Sequence, residues 1–421
     1  MMLKRKLVLR QIKEITLIIG ILFLPINQNI NHWFFALFMI LSFVEFFIRR
    51  ENFHNLRAVG KLFFLSCAIF FFLRVIFFFH SSNMDISQKE LIRALPFLLY
   101  PLCILTLWTK KGNYKLFERR IFWSLTAGCL ISAAICWSNV LINMEANPIP
   151  AQRFFGWKKS GTYLTSILDL HPPYLGMMLF ASIVFLFNQA TSNEKSDRLQ
   201  KILYGTTILV LLIFLFNITA RNSLLFLSFL GFVYFIYKRY WKLVFLSLIA
   251  VISAVILIIN HPSQYYRLKL YHMLGLSQED AQTDKRFKRL NASYKVFQQN
   301  PIYGVGLGID TELKVKEYNA TGDKVAAVER YNSHNQFFEY LAAYGIIGGM
   351  VFIVAFLILI FILLKLRFEF LLILVLNIIL ASFTESIFER ALGIQYYSVI
   401  FSLVLLKIIY SRTRFNSEWC N

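Results

Sequence analysis

ILYGTTILVLLIFLFNITARNSLLFLSFLGFVYFIY, residues 202–237, is almost continuously apolar. As a single helix rising ~1.5 Å per residue it would be about 54 Å long, far beyond a hydrocarbon core of ~30 Å. The run must therefore fold back on itself. Its only polar interruption is Thr219-Ala220-Arg221-Asn222-Ser223. Two membrane spans joined by a tight turn follow, with Arg221 at or near the first turn of the second.

The rest of the chain agrees with this start. Of 421 residues, 57% are hydrophobic and 16% charged, and 44 are Phe. Globular domains average roughly 45–50% apolar and ~25% charged residues, so this chain is too apolar to cover itself with water. Runs of spanning length bounded by charged or turn-forming clusters number twelve: 15–31, 33–48, 60–79, 91–108, 121–142, 171–189, 202–219, 222–237, 242–260, 335–364, 368–383 and 393–410. The expected fold is an all-α polytopic membrane protein of about twelve transmembrane helices. A large external loop, 261–334, lies between spans 9 and 10 and is expected to contain amphipathic helices. We divide the chain into N-terminal spans 1–6 (1–200), a core with the large loop (201–410) and a short tail (411–421). The first apolar run has no A-x-A-like cleavage site and is expected to remain as a span.

Net charge is +21, from 44 Lys and Arg against 23 Asp and Glu. In a soluble protein that balance would suggest nucleic acid, but here the basic residues sort by side of the membrane. If the tail with Lys4, Arg5, Lys6, Arg10 and Lys13 is cytoplasmic, each cytoplasmic segment carries two to five Lys and Arg, and each short outside connection carries at most one. Two long outside segments break the pattern. Residues 143–170 hold Arg153, Lys158 and Lys159, and 261–334 hold eleven basic residues. Long loops cross largely regardless of charge, and a basic external surface beside the bilayer suits an anionic ligand. Cys67, Cys103, Cys129 and Cys136 fall in spans and Cys420 in the tail, so no disulfide framework or Cys-based metal site is expected outside. The outside acids form no Asp-x-Asp pair, and we expect neither metal nor other cofactor.

Three stretches carry candidate chemistry. Arg221 fits an interfacial arginine snorkelling to headgroups or an anion clamp, in which a guanidinium adds a bidentate donor to the free N–H groups of a helix start. In Lys285-Arg286-Phe287-Lys288-Arg289-Leu290-Asn291-Ala292-Ser293-Tyr294-Lys295-Val296-Phe297, the residues Phe287, Leu290, Tyr294 and Phe297 share one helical face, with Arg286 and Arg289 one turn apart beside it. Such a helix either lies on anionic lipid or grips a diphosphate. In Ser333-His334-Asn335-Gln336, the Ser333 and Gln336 spacing matches a capping box, which makes Ser333 the expected N-cap and His334 the first helical residue. A histidine there feels the positive end of the helix dipole, so it is kept neutral and able to accept a proton. It is equally an interfacial histidine with no task. The segment Asn300-Pro301-Ile302-Tyr303-Gly304-Val305-Gly306-Leu307-Gly308 has the glycines of half a nucleotide fingerprint, but no strand precedes it.

Taken in order, these pieces resemble the O-antigen ligase and polymerase superfamily. The matching residues are the arginine opening a helix in Thr219-Ala220-Arg221-Asn222-Ser223-Leu224-Leu225, the Arg286 segment running into Asn300–Gly308, and Ser333-His334-Asn335-Gln336-Phe337 followed by Tyr344-Gly345-Ile346-Ile347-Gly348. The resemblance implies a metal-independent, inverting glycosyl transfer at the periplasmic face of the bacterial inner membrane. It implies an undecaprenyl-diphosphate-linked glycan as donor and a lipid A-core or glycan acceptor, with no nucleic acid involved. Carried over, Arg221 and Arg286 would bind the donor diphosphate, and His334 would orient or deprotonate the acceptor hydroxyl. Arg289 joins them because it shares a helix face with Arg286. Asn335, His171 in Leu170-His171-Pro172-Pro173-Tyr174, Arg153 and Glu385 are further substrate-binding candidates. The His-Pro element also occurs in polymerase-like members, so ligase and polymerase both stand. A transporter of an anionic lipid would use the same arginines but needs polar residues across the bilayer, where Glu45, Arg74, Arg93 and Glu339 are the main charges.

Overall fold

The computed structural model describes residues 2–48, 59–79, 84–107, 114–146, 162–192, 197–260 and 285–418. The described residues form helices and turns, with no strand among them. Among the described residues, seven helices are long and apolar enough to cross a membrane: Gln28–Phe47, Val59–Phe78, Tyr114–Asn143, Pro172–Thr191, Arg198–Asn217, Gln336–Lys365 and Ala391–Ser411. Asn222–Tyr237 and Glu369–Ser382 are apolar but shorter. The large loop contributes the helices Lys285–Gln299, Ile309–Ala320 and Lys324–Val328.

One span boundary is corrected. The first helix ends at Phe23 and the second begins at Gln28, so the turn centres on Pro25 rather than on the polar stretch after it. Asn31, expected at the end of the first span, is fully buried within the second helix, where its amide Nδ2 donates to Gly20 O at 2.8 Å. A buried amide with a backbone partner is tolerated inside an apolar pair of helices, which is why composition misplaced the break.

The chain divides into two compact units, one of residues 1–20, 29–121 and 281–421, the other of 21–28 and 122–280. In the first, the ring of Phe70 lies 5.3 Å from that of Phe388, 5.4 Å from Phe97 and 6.0 Å from both Tyr340 and Tyr397. This aromatic cluster joins the helices Val59–Phe78, Met84–Leu105, Gln336–Lys365 and Ala391–Glu418 to the short Ile387–Glu389 turn. One helical turn beyond Phe70, Arg74 is fully buried. Its Nη2 donates to Phe388 O at 2.8 Å and lies 3.7 Å from Glu389 Oε1, and its guanidinium sits over Phe97. A buried guanidinium is tolerated only with such partners, so this intramembrane charge acts as an anchor for the 387–389 turn.

In the second unit, the helix Pro172–Ser192 is the centre, with Leu175, Met178, Leu179, Phe180, Ala181 and Leu186 fully buried. Gly176 on this helix faces the turn before Arg221. A Cβ there would stand 2.4 Å from Ser223 Oγ and 2.8 Å from Ala220 Cβ. Only a glycine allows that approach.

Candidate functional site

The site is built around a break in a membrane helix. Gly345, inside Gln336–Lys365, has φ +63 and ψ −160, a region essentially reserved for glycine. The expected continuous span 335–364 is therefore two helices. The backbone groups freed by the break are taken by the glycine-rich segment: Val305 N donates to Ala342 O at 3.1 Å, Gly306 N to Ala343 O at 3.0 Å, and Ile346 N to Pro301 O at 2.8 Å. Gly304 sits so close that a Cβ would stand 2.4 Å from Tyr344 N. The glycines of Asn300–Gly308 thus dock a loop on a helix break, and their nucleotide-like pattern has this other cause.

The docking brings the helix Lys285–Gln299 beside the start of Gln336–Lys365. Its inward stripe is Arg289, Ala292, Ser293 and Val296, the last three buried, while Phe287 and Tyr294 face outward. Ala292 joins a small core with Tyr318, Ala326 and Ala327, against which Tyr331 packs. Tyr318 holds Tyr331 by donating its hydroxyl to Tyr331 O at 3.0 Å.

The segment carrying the histidine differs from expectation. Asn335, not Ser333, is the N-cap: its Oδ1 accepts from Phe337 N at 3.0 Å and Phe338 N at 3.2 Å, and the helix begins at Gln336. His334 lies outside the helix in the left-handed region, at φ +54. Asparagine is as good a cap as serine, and the Ser333 hydroxyl instead donates to Asn335 O at 2.9 Å. The turn is tethered from below. Glu339 accepts from Ser333 N and pairs with Lys314, which also pairs with Asp310 at 2.9 Å. Burial alone would lower the Lys314 pKa, but Asp310 and then Glu339 outweigh it and hold the ammonium well above its usual range. A left-handed non-glycine residue stores of order 1–3 kcal/mol, which this buried triad helps to hold.

A second loop is clamped onto the same helix start. Asn335 Nδ2 donates to Phe383 O at 3.1 Å, Phe388 N to Gln336 Oε1 at 2.6 Å, and Gln336 Nε2 to Glu389 Oε1 at 3.2 Å. These bonds set Glu385, itself buried, against the histidine. Glu385 Oε2 lies 2.9 Å from His334 Nδ1, and Glu385 Oε1 lies 3.9 Å from Arg286 Nη2. On the other edge of the ring, Arg289 Nη1 lies 3.0 Å from His334 Nε2. Guanidinium nitrogens only donate, so Nε2 accepts and the ring proton resides on Nδ1, where it is donated to Glu385. Arg289 is further placed by the Tyr331 ring, 4.4 Å below it, and by Asp323 Oδ2, 3.9 Å from its Nε.

Arg286, Arg289, His334, Asn335 and Glu385 are therefore gathered in one place. Arg221 and His171 belong to the other unit. Arg221 is the first residue of the helix Arg221–Tyr237, after a turn with Thr219 at φ +51, and no side chain caps that helix start. His171 is exposed, and its carbonyl accepts from Tyr174 N at 3.1 Å at the start of Pro172–Ser192. Arg153 lies outside the described residues. Asp323 and Tyr331 escaped the sequence reading. Asp323 also caps the helix Lys324–Val328 by accepting from Ala326 N at 3.2 Å. Among the described residues, no three His, Cys, Asp or Glu side chains group as metal ligands.

Residues 206–353 match the family model described as O-antigen ligase. Over this stretch the chain is similar to the O-antigen ligase family. The matched segment contains Arg221, Arg286, Arg289, His334 and Asn335, together with the glycine loop and the helix break; Glu385 lies beyond it. Its membrane-length helices together with this match indicate a membrane protein, and the match supports a function of O-antigen ligase or polymerase type in general. A search of curated proteins found no match.

Proposed function

We propose that this protein moves a glycan from undecaprenyl diphosphate to a lipid A-core sugar at the periplasmic face of the inner membrane, by a metal-independent, inverting transfer. The twelve-span topology with an external 261–334 loop and a 201–410 core is part of this reading. The arrangement of His334 between Glu385 and Arg289, with Arg286 alongside, carries it.

Chemically, the acceptor hydroxyl oxygen attacks the anomeric carbon and the bond from that carbon to the diphosphate oxygen breaks. The electron pair leaves on the diphosphate, and the hydroxyl proton passes to His334 Nε2. Glu385 fixes the tautomer that leaves Nε2 as the base and stabilises the imidazolium that forms. Arg286 and Arg289 neutralise the charge growing on the leaving group, and an arginine suits this because its planar fork matches two phosphate oxygens; Arg221 is kept as a donor-binding candidate in its own unit. Asn335 acts mainly through position, since its amide caps one helix and holds the Glu385 loop. Arg153 and His171 are kept as contacts to the donor or acceptor glycan.

A polymerase differs only in its acceptor, a second lipid-linked glycan, and the His171-Pro172-Pro173 element is the feature that favours it. Purified protein in vesicles containing undecaprenyl-diphosphate glycan separates the two. Transfer only when lipid A-core is added supports the ligase; a growing ladder without it supports the polymerase. Lipid movement without transfer by wild-type protein would return the transporter reading.

A further inference from the structure

We propose that Arg289 occupies the lone pair of His334 until a diphosphate draws it away, so that the base is uncovered only after the donor has bound. This deepens the preceding reading and rests on it.

The nitrogen that must take the acceptor proton, Nε2, is not available in the structure. It accepts from Arg289 Nη1 at 3.0 Å, while Nδ1 is turned to Glu385. A base whose lone pair is already a hydrogen-bond acceptor cannot also take a hydroxyl proton. Arg289 must leave before His334 can act.

Away from the imidazole, Arg289 is held without its full set of hydrogen bonds. Its Nε is buried with no hydrogen-bond partner, and so is Asp323 Oδ2, 3.9 Å away. Two complementary buried groups left just beyond hydrogen-bond reach form a position that a small movement of the guanidinium would complete. The carboxylate cannot close the gap, because Asp323 Oδ1 is fixed as the cap on Ala326 N at 3.2 Å. The Tyr331 ring, 4.4 Å from the guanidinium, offers a flat face along which the movement runs. The driving ligand is a diphosphate, which accepts two parallel hydrogen bonds from an arginine and binds it more strongly than a neutral imidazole does.

The charges around the site agree. Arg286 and Arg289 are faced by Glu385 and Asp323, so the resting site is balanced and an arriving dianion competes for arginines already in use. The donor then performs two tasks at once: it takes up Arg289 and releases Nε2. An acceptor sugar alone offers no anion and leaves the base covered. The expected consequence is a compulsory order, donor before acceptor.

The test is the rate at which diethyl pyrocarbonate modifies His334 in the purified full-length protein, read peptide by peptide, with His32 as an internal reference. The reagent attacks an imidazole nitrogen with a free lone pair. Sugar-free undecaprenyl diphosphate is the ligand, and its binding is measured separately with a radiolabelled sample. Saturating diphosphate is expected to raise the wild-type His334 rate roughly tenfold, the worth of one charge-assisted hydrogen bond, with His32 unchanged. Arg289→Ala is expected to be fast without ligand and insensitive to it. Because the ligand adds bulk near the ring, acceleration reports release of the lone pair and not a loss of shielding. Bound diphosphate that leaves the His334 rate unchanged, or slows it, overturns the switch while leaving the transfer reading intact. Failure of the diphosphate to bind overturns both.

Discussion

His334 and Glu385 lie 51 residues apart in sequence and meet at 2.9 Å between Nδ1 and Oε2. The contact is not local chance, because three further hydrogen bonds from Asn335 and Gln336 hold the 383–389 loop against the same helix start. The ring is thereby given one tautomer, with its outer nitrogen directed to Arg289. That makes Glu385 a positioning residue.

Glu385→Ala is expected to lower kcat for glycan transfer by about 10²-fold, the low end of what a general base supplies, while donor binding changes little. His334→Ala in the same assay should lose 10²–10⁴-fold, and the double variant should be no worse than His334→Ala alone. Additive losses would show that Glu385 acts independently of the imidazole.

The helix break is the second testable element. Gly345→Ala places a Cβ 2.3 Å from Ile302 O at a backbone conformation reserved for glycine. We expect it to cost at least about 2 kcal/mol and to abolish transfer as the Asn300–Gly308 loop undocks. Gly205→Ala, with nothing within 4 Å, is the control and should match wild type or exceed it slightly. Thermal unfolding in detergent measures both.

Lys314 is held by two buried carboxylates, and removing it strands them. Lys314→Met is expected to destabilise the protein by about 3–5 kcal/mol, because the uncompensated charges of Asp310 and Glu339 remain buried. A second substitution, Glu339→Gln, should recover part of the loss. No recovery would mean that Glu339 matters mainly through its bond to Ser333 N.

Glu389 gives a pH signature. A quarter of its side chain is accessible, yet the surrounding protein is dense enough that burial pushes its carboxyl up to about 7; Arg74 opposes this and Glu90 adds to it. A carboxyl raised above its ordinary value of 4.5 contributes stability that is complete below 4.5 and lost as pH rises through about 7. Glu389→Gln should therefore match wild type in Tm at acidic pH and exceed it above neutrality. A lower Tm at alkaline pH would mean that the ion pair with Arg74 outweighs burial.

Seven of the expected spans were legible because apolar length is a direct physical requirement of a bilayer; the loop helix at Arg286 was legible as a helix, but the stripe it buries, Ala292, Ser293 and Val296, is not the aromatic one its period suggested. The start of the second helix was not, since Asn31 looks like loop but finds a carbonyl in a neighbouring helix. Ser333 and Asn335 are both strong caps, and spacing alone does not choose between them. The site residues Arg286, Arg289, His334, Asn335 and Glu385 were individually visible. Their shared geometry was not, because it depends on Gly345 breaking a helix whose sequence reads as continuous. Asp323 and Tyr331 carry no signal beyond a turn and an aromatic residue; only the folded loop places them around Arg289.

Transfer from undecaprenyl-diphosphate glycan by vesicle-reconstituted wild-type protein and His334→Ala, each shown to be inserted and folded, is the most direct measurement. The account predicts product with the wild type when an acceptor is supplied and a loss of at least about 10²-fold with the variant. Wild-type turnover by His334→Ala would contradict it.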